Sequence, residues 1–166
     1  EYENKKLKNY VDSIGNFLVS TSELSNKKFK FTILDTPIIN AFALPGGYVY
    51  ITRGLIYLCQ NEAQLAGVIA HEIGHITARH SAKRYTKTIG TGVILNVLNV
   101  ISNNYYINNI LGQSAQLYLL SFSRSQEYQA DQLAVRYMVR AGFDPNEMAT
   151  FLKLMERHAD LQKKIF

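Results

Sequence analysis

The change of hydrophobic periodicity near Gly54 limits the fold of this 166-residue chain more than any other feature. Before it, three short runs rich in β-branched and aromatic residues are bounded by proline and glycine, which is typical of strands. These runs cover residues 29–34, 38–44 and 48–52. After Gly54, the apolar residues recur at helical spacing. The chain can therefore form only a small, three-stranded sheet, and helices must supply the rest of the core.

Helices are predicted on both sides of this sheet. Residues 7–18 carry apolar side chains at helical spacing. A long helix is expected to begin after Asn61, with Gln64 as its capping-box partner, and to end near Arg84. Further helices are expected at 54–59, 87–101, 105–122, 124–141 and from 145 onwards, and the last two are marked by capping residues at Ser123, Gly142 and Asp144. This order favours an α+β fold in one domain, with helices packed against the sheet. The core face of the last helix is predicted to consist of Met148, Phe151, Leu152 and Met155.

The cysteine content restricts the kind of site that the chain can build. Cys59 is the only cysteine, so an intrachain disulfide and a cysteine-based zinc site are both excluded. The most apolar stretch, 89–101, is interrupted by Asn96 and Asn99 and is too short to cross about 30 Å of hydrocarbon. The first residues are polar and do not form a signal peptide. We therefore expect a soluble chain in which histidines and carboxylates bind any metal.

The charge distribution leaves two interpretations open. Eighteen Lys and Arg against thirteen Asp and Glu give a net charge of +5, and the excess lies near the two ends. The basic residues either form solvated helix faces or attract an anionic membrane surface or an acidic partner, as a membrane-surface adaptor would. No nucleic-acid partner is expected.

The segment His71-Glu72-Ile73-Gly74-His75 carries the most specific chemical signal. Four residues advance a helix by about 400°, so the two imidazoles stand one turn apart on one face. That is the spacing of two zinc ligands, with Glu72 beside them but outside the coordination shell. Zinc lowers the pKa of bound water and polarises a carbonyl group, and a neighbouring carboxylate can take the proton of the water. The segment predicts a hydrolytic metal site with Glu72 as the general base.

A catalytic zinc ion needs a third protein ligand from elsewhere in the chain. Glu127 and Asp131 lie one turn apart on the predicted 124–141 helix, whose apolar residues define a core side. Two acids at the start of a mostly buried helix could be a metal ligand and the acceptor for a ligand imidazole N–H. They could equally be an exposed acidic first turn that the helix dipole favours. From the residues alone, both interpretations stay open.

Four segments of the chain carry a further signal, namely 40–47, 71–80, 123–131 and 140–145. Together they resemble the HtpX and CAAX prenyl protease family of zinc metallopeptidases, most closely its soluble, periplasmic, BepA-like branch. The resemblance extends from about residue 37 to 152 and implies a zincin-like domain of the gluzincin type. With the single domain expected from the chain length, this domain would cover residues 1–166, without the C-terminal repeat region of relatives. The resemblance implies one zinc ion on His71, His75 and Glu127, with Asp131 orienting a ligand histidine.

The same resemblance implies a function and substrate contacts. It implies a hydrolase that cleaves peptide bonds of unfolded or misassembled cell-envelope proteins, with the zinc-bound water as nucleophile. Protein or peptide substrates would add along the outer strand at Asn40, Ala41 and Phe42, although these residues also suit an ordinary edge strand. Association of the chain with the membrane surface or with a membrane protein stays open. His80 and Arg124 are accessory candidates, or else a paired helix-end histidine and a structural ion-pair residue. The alternative function is a chaperone-like binding module with a latent or self-inhibited zinc site.

Overall fold

The structure, a computed structural model, describes residues 1–83 and 122–165, with side chains as far as Leu161. It is mostly helical, with one small sheet. The predicted helix at 87–101 and nearly all of the one at 105–122 lie outside the described residues. The helices are α1 (Lys5–Ser20), α2 (Arg53–Leu58), α3 (Glu62–Thr77), α4 (Arg124–Ala141) and α5 (Asn146–Ile165), and the strands are β1 (Lys30–Leu34), β2 (Ala41–Leu44) and β3 (Tyr48–Thr52).

The sheet has the order β1-β3-β2, with β1 parallel and β2 antiparallel to β3. Strand β2 begins at Ala41 and not at residue 38 as predicted. The reason is that the preceding segment supports α2: the Gly54 N–H donates to the Thr36 carbonyl at 3.0 Å. A Cβ on Gly54 would lie 2.0 Å from the Pro37 carbonyl oxygen, so only glycine allows this approach. Proline also has no N–H to offer a ladder.

One apolar core connects α1, the sheet and helices α3 to α5. Helix α1 contributes Val11, Ile14 and Leu18, and β3 contributes Val49 and Ile51. Burial of such side chains is the main favourable term in folding, at roughly 25 cal/mol per Å² of apolar surface. The core therefore fixes α3 from several sides, which positions the residues that it carries.

Helix α3 ends seven residues earlier than the predicted end near Arg84. Its last residue is Thr77, and Arg79 adopts a left-handed conformation with φ of 58°. Glycine or asparagine usually takes this conformation at a helix end, so residue type does not mark the end of α3 at Arg79. Residues 80–83 form a new helical turn. The reversal brings His80 and Ser81 back onto the body of the domain, where both are buried.

The start of α3 also differs in detail from the predicted capping box. The Asn61 side chain accepts from the Gln64 N–H at 2.9 Å, as expected. The Gln64 side chain, however, accepts from the N–H of Gln60 and donates to Glu147. It therefore ties α3 to α5 instead of closing the cap on Asn61.

Helices α4 and α5 begin close to the predicted residues. Ser123 and Gln126 form a full capping box, and Gly142 ends α4 with φ of 81°. Helix α5 begins at Asn146, one residue after the proline that was expected to open it. The prediction that Leu152 faces the core is wrong: its side chain is 41% exposed. Leu154 packs against the core instead, together with Met148, Phe151 and Met155.

Candidate metal centre

Two histidines on the inner face of α3 form the centre of the site. The imidazoles of His71 and His75 lie one helical turn apart, with ring centroids 4.7 Å from each other. Their Nε2 atoms face each other at 3.0 Å. Because His75 is almost fully buried and His71 is partly open, the pair lies at the boundary between the core and the surface.

Glu127 reaches the same point from α4. Its Oε2 lies 3.1 Å from His71 Nε2 and 3.6 Å from His75 Nε2. A tetrahedral ion with bonds of about 2.0–2.2 Å has ligand atoms roughly 3.3–3.6 Å apart, so these donors fit a divalent cation. Among the described residues, these three side chains are the group whose ligand atoms converge in this way.

Close contact between α3 and α4 makes this convergence possible. A Cβ on Gly74 would lie 2.9 Å from the Ala130 carbonyl oxygen and 3.2 Å from its Cα. The absence of a side chain at Gly74 and the small one at Ala130 let the two backbones approach each other. Glu127 lies one turn before Ala130 on α4, so the helix contact sets its distance from the histidines.

The Nδ1 atoms of both histidines are also engaged. His71 Nδ1 lies 2.8 Å from Asp131 Oδ1, and His75 Nδ1 lies 2.9 Å from His80 Nδ1. The second ring nitrogen of His80 lies 2.9 Å from Gln129 Oε1. Each imidazole therefore leaves only its Nε2 directed at the common point. Such contacts orient metal-binding histidines and fix their tautomers.

The charges and hydrogen bonds around His71, His75 and Glu127, referred to below as the cluster, favour a bound positive charge. Burial lowers the pKa of His71, but its hydrogen bonds with Asp131 and Glu127 outweigh burial and raise the pKa to about 10. Burial lowers the pKa of His75 below its usual value. The hydrogen bond from His71 is the largest of the contacts that hold the pKa of Glu127 far below its usual range. An imidazole must be neutral to bind a cation, so metal affinity should rise with pH.

Glu72 lies on the same helix as the two histidines and is buried. Burial raises the pKa of its carboxyl to about 7, with the charge of Glu127 adding to the rise and His71 opposing it. A carboxyl group with a pKa near neutrality can accept a proton and return it within one reaction cycle.

Comparison with known proteins decides the family. The sequence profile of Peptidase family M48 matches residues 5–165. The chain belongs to peptidase family M48. The resemblance inferred from the motifs is thereby confirmed, and the chain is placed among metalloprotease enzymes. The family also implies a metal cofactor.

Relatives of this M48 chain include two kinds of protease. It is 33% identical to "Mitochondrial metalloendopeptidase OMA1" of Schizosaccharomyces pombe over 149 residues, which cover 89% of this chain and 43% of the relative. It is 33% identical to "Beta-barrel assembly-enhancing protease" of Escherichia coli K12 over 162 residues, covering 91% of this chain and 33% of the relative. The chain thus spans less than half the length of these proteins.

The other predicted residues of this M48 domain lie at varying distances from the cluster. Asn40 precedes the edge strand β2, which contains Ala41 and Phe42. Arg124 is exposed at the start of α4, and within the described ranges it forms no contact with the cluster. His158 lines a separate cavity of about 280 Å³. Within residues 1–83 and 122–165, no helix has the length and apolar character to cross a bilayer.

Gln129 is a contact residue of the site that the sequence did not indicate, and Phe122, whose ring stacks on His75, is another. Gln129 lies two residues after Glu127, about 200° round α4, so no argument from a shared helix face would select it. It meets His80 only because the chain reverses at Arg79. No glycine or asparagine lies at that reversal, so residue type does not predict it.

Proposed function

We propose that this M48 domain is a zinc-dependent endopeptidase in which His71, His75 and Glu127 bind the ion and Glu72 is the general base. The proposal rests on one observation, the convergence of two Nε2 atoms and one carboxylate oxygen at mutual distances of 3.0–3.6 Å. Two nitrogens and one carboxylate oxygen are the donor set of many catalytic zinc sites, which keep a fourth position open.

The chemistry follows from the residues around that point. When bound, zinc supplies Lewis acidity toward a carbonyl group and a coordinated water. Glu72 takes the proton of the attacking water and returns it to the departing amine, a role that suits a carboxyl with a pKa of about 7. Asp131 accepts the Nδ1–H of His71 and so keeps the Nε2 lone pair of that ring for the ion.

Residues 1–166 form, in this proposal, a single zincin-like domain with the sheet lying on α3. The support is that Val49 and Ile51 of β3 share one core with Ile69 and Ile73 of α3. Strand β2 also contacts α3. This arrangement would hold the edge of the sheet above the metal ligands.

The hydrogen-bond pattern of the sheet indicates which residue of β2 would pair with a substrate. The backbone carbonyl of Asn40 accepts a hydrogen bond from the Thr52 N–H. In an antiparallel pair, hydrogen-bonded positions alternate along the strand, so the backbone groups of Phe42, which lies opposite Tyr50, also point toward β3. The backbone groups of Ala41 therefore point toward the free edge. At Ala43 the carbonyl already accepts from Ser81 Oγ at 3.0 Å. An extended peptide would add beside Ala41, and Phe42 would contribute through its stacking on Tyr50.

The substrates that we propose are unfolded or misassembled proteins of the cell envelope, with a periplasmic location and access to membrane proteins. The support is the likeness to proteases whose names refer to β-barrel assembly. The basic residues near both ends would assist contact with an anionic membrane surface.

A second candidate function is a chaperone-like binding module whose zinc site is latent or self-inhibited. One contact favours it: the Phe122 ring stacks on His75, with centroids 3.9 Å apart, and covers one face of a metal ligand. A protein that binds both zinc and an unfolded client without any turnover would support this candidate.

The test is the substitution Glu72→Gln, assayed with casein as an unfolded substrate. We expect zinc content to be retained and cleavage to fall by at least about 10²-fold, since general-base catalysis contributes roughly 10²–10⁴ in rate. Glu62→Gln is the matched control, because it makes the same change on the exposed first turn of α3. Cleavage at the wild-type rate by Glu72→Gln would remove Glu72 from the mechanism.

A further inference from the structure

His80 forms a chain of hydrogen bonds that begins at a metal ligand and ends on α4. His75 Nδ1 lies 2.9 Å from His80 Nδ1, and His80 Nε2 lies 2.9 Å from Gln129 Oε1. His80 is only 1% exposed, so the partner of His75 Nδ1 is this buried ring and not solvent. Its ring centroid lies 5.1 Å from that of His75, close to edge-on.

The end of this chain determines where each proton lies. The amide oxygen of Gln129 can only accept, so His80 Nε2 carries the proton and donates it. A neutral imidazole has one donor and one acceptor, so His80 Nδ1 must accept. His75 Nδ1 therefore donates, which leaves the lone pair of His75 on Nε2. That nitrogen is the one directed at His71 and Glu127.

The opposite arrangement would prevent metal binding. If His80 carried its proton on Nδ1, His75 Nδ1 would have to accept, and the proton of His75 would move to Nε2. A protonated Nε2 cannot bind a cation. The two tautomers of His80 thus correspond to a competent and an incompetent His75.

We propose that His80 is a positioning residue that, through Gln129, fixes His75 in its metal-binding tautomer. The inference rests on the function proposed above, and it adds a role for a residue outside the coordination shell. The arrangement parallels the contact of His71 with Asp131, so each ligand histidine has one partner that accepts its Nδ1–H.

The experiment compares three histidine variants, each in a Glu72→Gln background so that proteolysis does not interfere. His80→Leu removes the acceptor and keeps apolar bulk. His80→Asn places an amide oxygen near the position of Nδ1 and restores the acceptor. His158→Leu is the control, because His158 lines a different cavity.

Zinc affinity is measured by competition with a chelator, and the stability of the metal-free protein by thermal unfolding. We expect His80→Leu to bind zinc about 10–100-fold more weakly, which is the usual effect of losing such a partner. His80→Asn should stay within a few-fold of the parent, and His158→Leu should not differ from it. Unchanged affinity in His80→Leu, or no recovery in His80→Asn, would overturn the proposal.

Nitrogen-15 NMR of the imidazole rings tests the tautomers directly. In the metal-free protein we expect His75 to carry its proton on Nδ1 and His80 on Nε2. Gln129→Leu should shift the spectrum of His80 toward a mixture of tautomers, with a smaller loss of zinc affinity than His80→Leu because Gln129 is exposed and water can replace it. A His75 ring with its proton on Nε2 would refute the positioning role of His80.

Two further results separate this inference from the proposed function. A parent protein that binds no zinc would contradict the proposed function, while the ring spectra would still decide whether His80 fixes the tautomer of His75. If a structure of the zinc-loaded parent places a His80 nitrogen within about 2.1 Å of the ion, His80 is a metal ligand and the positioning role is wrong.

Discussion

The substitution Gly74→Ala should separate α3 from α4 and weaken metal binding. The added Cβ would lie 2.9 Å from the Ala130 carbonyl oxygen and 3.3 Å from the Leu133 Cβ. Both atoms belong to or lie next to the backbone of α4, so they cannot rotate away. The helices must move apart by several tenths of an ångström, and Glu127 and Asp131 would move with α4.

The size of the effect follows from two opposing terms. Extra bulk in a packed interface costs about 1–3 kcal/mol. Replacing glycine by alanine inside a helix returns roughly 0.5–1 kcal/mol. The midpoints of these two ranges give a net loss of about 1.3 kcal/mol, which for a domain of this size lowers the melting temperature by about 2–5 °C.

Gly67→Ala in the same helix is the matched control. Its Cβ would lie 3.0 Å from the Met148 Cβ, so the strain that it adds falls mainly on the contact with α5 and not on the contact with Ala130 that positions Glu127. Both variants are compared by thermal unfolding of the metal-free protein and by chelator competition for zinc. Only Gly74→Ala should lose zinc affinity. A Gly74→Ala protein as stable as the parent, with unchanged affinity, would refute the view that this helix contact sets the position of Glu127.

Two further predictions concern partners of buried or half-buried groups. Asp131→Ala should weaken zinc binding by about 10–100-fold, because His71 loses the acceptor for its Nδ1–H; equal affinities of Asp131→Ala and a surface control, Asp12→Ala, in chelator competition would contradict this. The pKa of Glu23 is lowered from 4.5 chiefly by the hydrogen bond from Tyr137, against the effect of burial and with help from Arg136. A lowered pKa stabilises the fold above about pH 4.5, and this stabilisation is lost as the pH falls through the pKa of the folded state. Tyr137→Phe should therefore lose less stability on acidification than the parent, as measured by urea unfolding at pH 3 to 7. An identical pH dependence of the two proteins would contradict this.

Much of the fold was predictable because local rules agree with the tertiary packing. The switch from strand to helical periodicity predicts the order of elements, and caps such as Ser123 and Gly142 mark both ends of α4. The spacing of His71 and His75 requires only a helix, so the facing Nε2 atoms follow directly.

The remaining differences arise where tertiary contacts overrule local signals. Arg79 ends α3 in a conformation that its residue type does not favour. Residues 38–40 have strand composition, but the segment before them packs closely on Gly54 of α2, whose N–H donates to the Thr36 carbonyl. Leu152 fits the apolar spacing of α5, yet Leu154 packs on the core. The role of Gln129 follows from the chain reversal at Arg79 and so could not be inferred from spacing.

Determining the crystal structure of the zinc-loaded Glu72→Gln protein, with anomalous scattering at the zinc edge, tests the central claim most directly. We predict one zinc ion bound by the Nε2 atoms of His71 and His75 and by a carboxylate oxygen of Glu127, with a fourth position open to a cleft. An ion that Glu127 does not contact, or one enclosed by four side chains, would contradict the account.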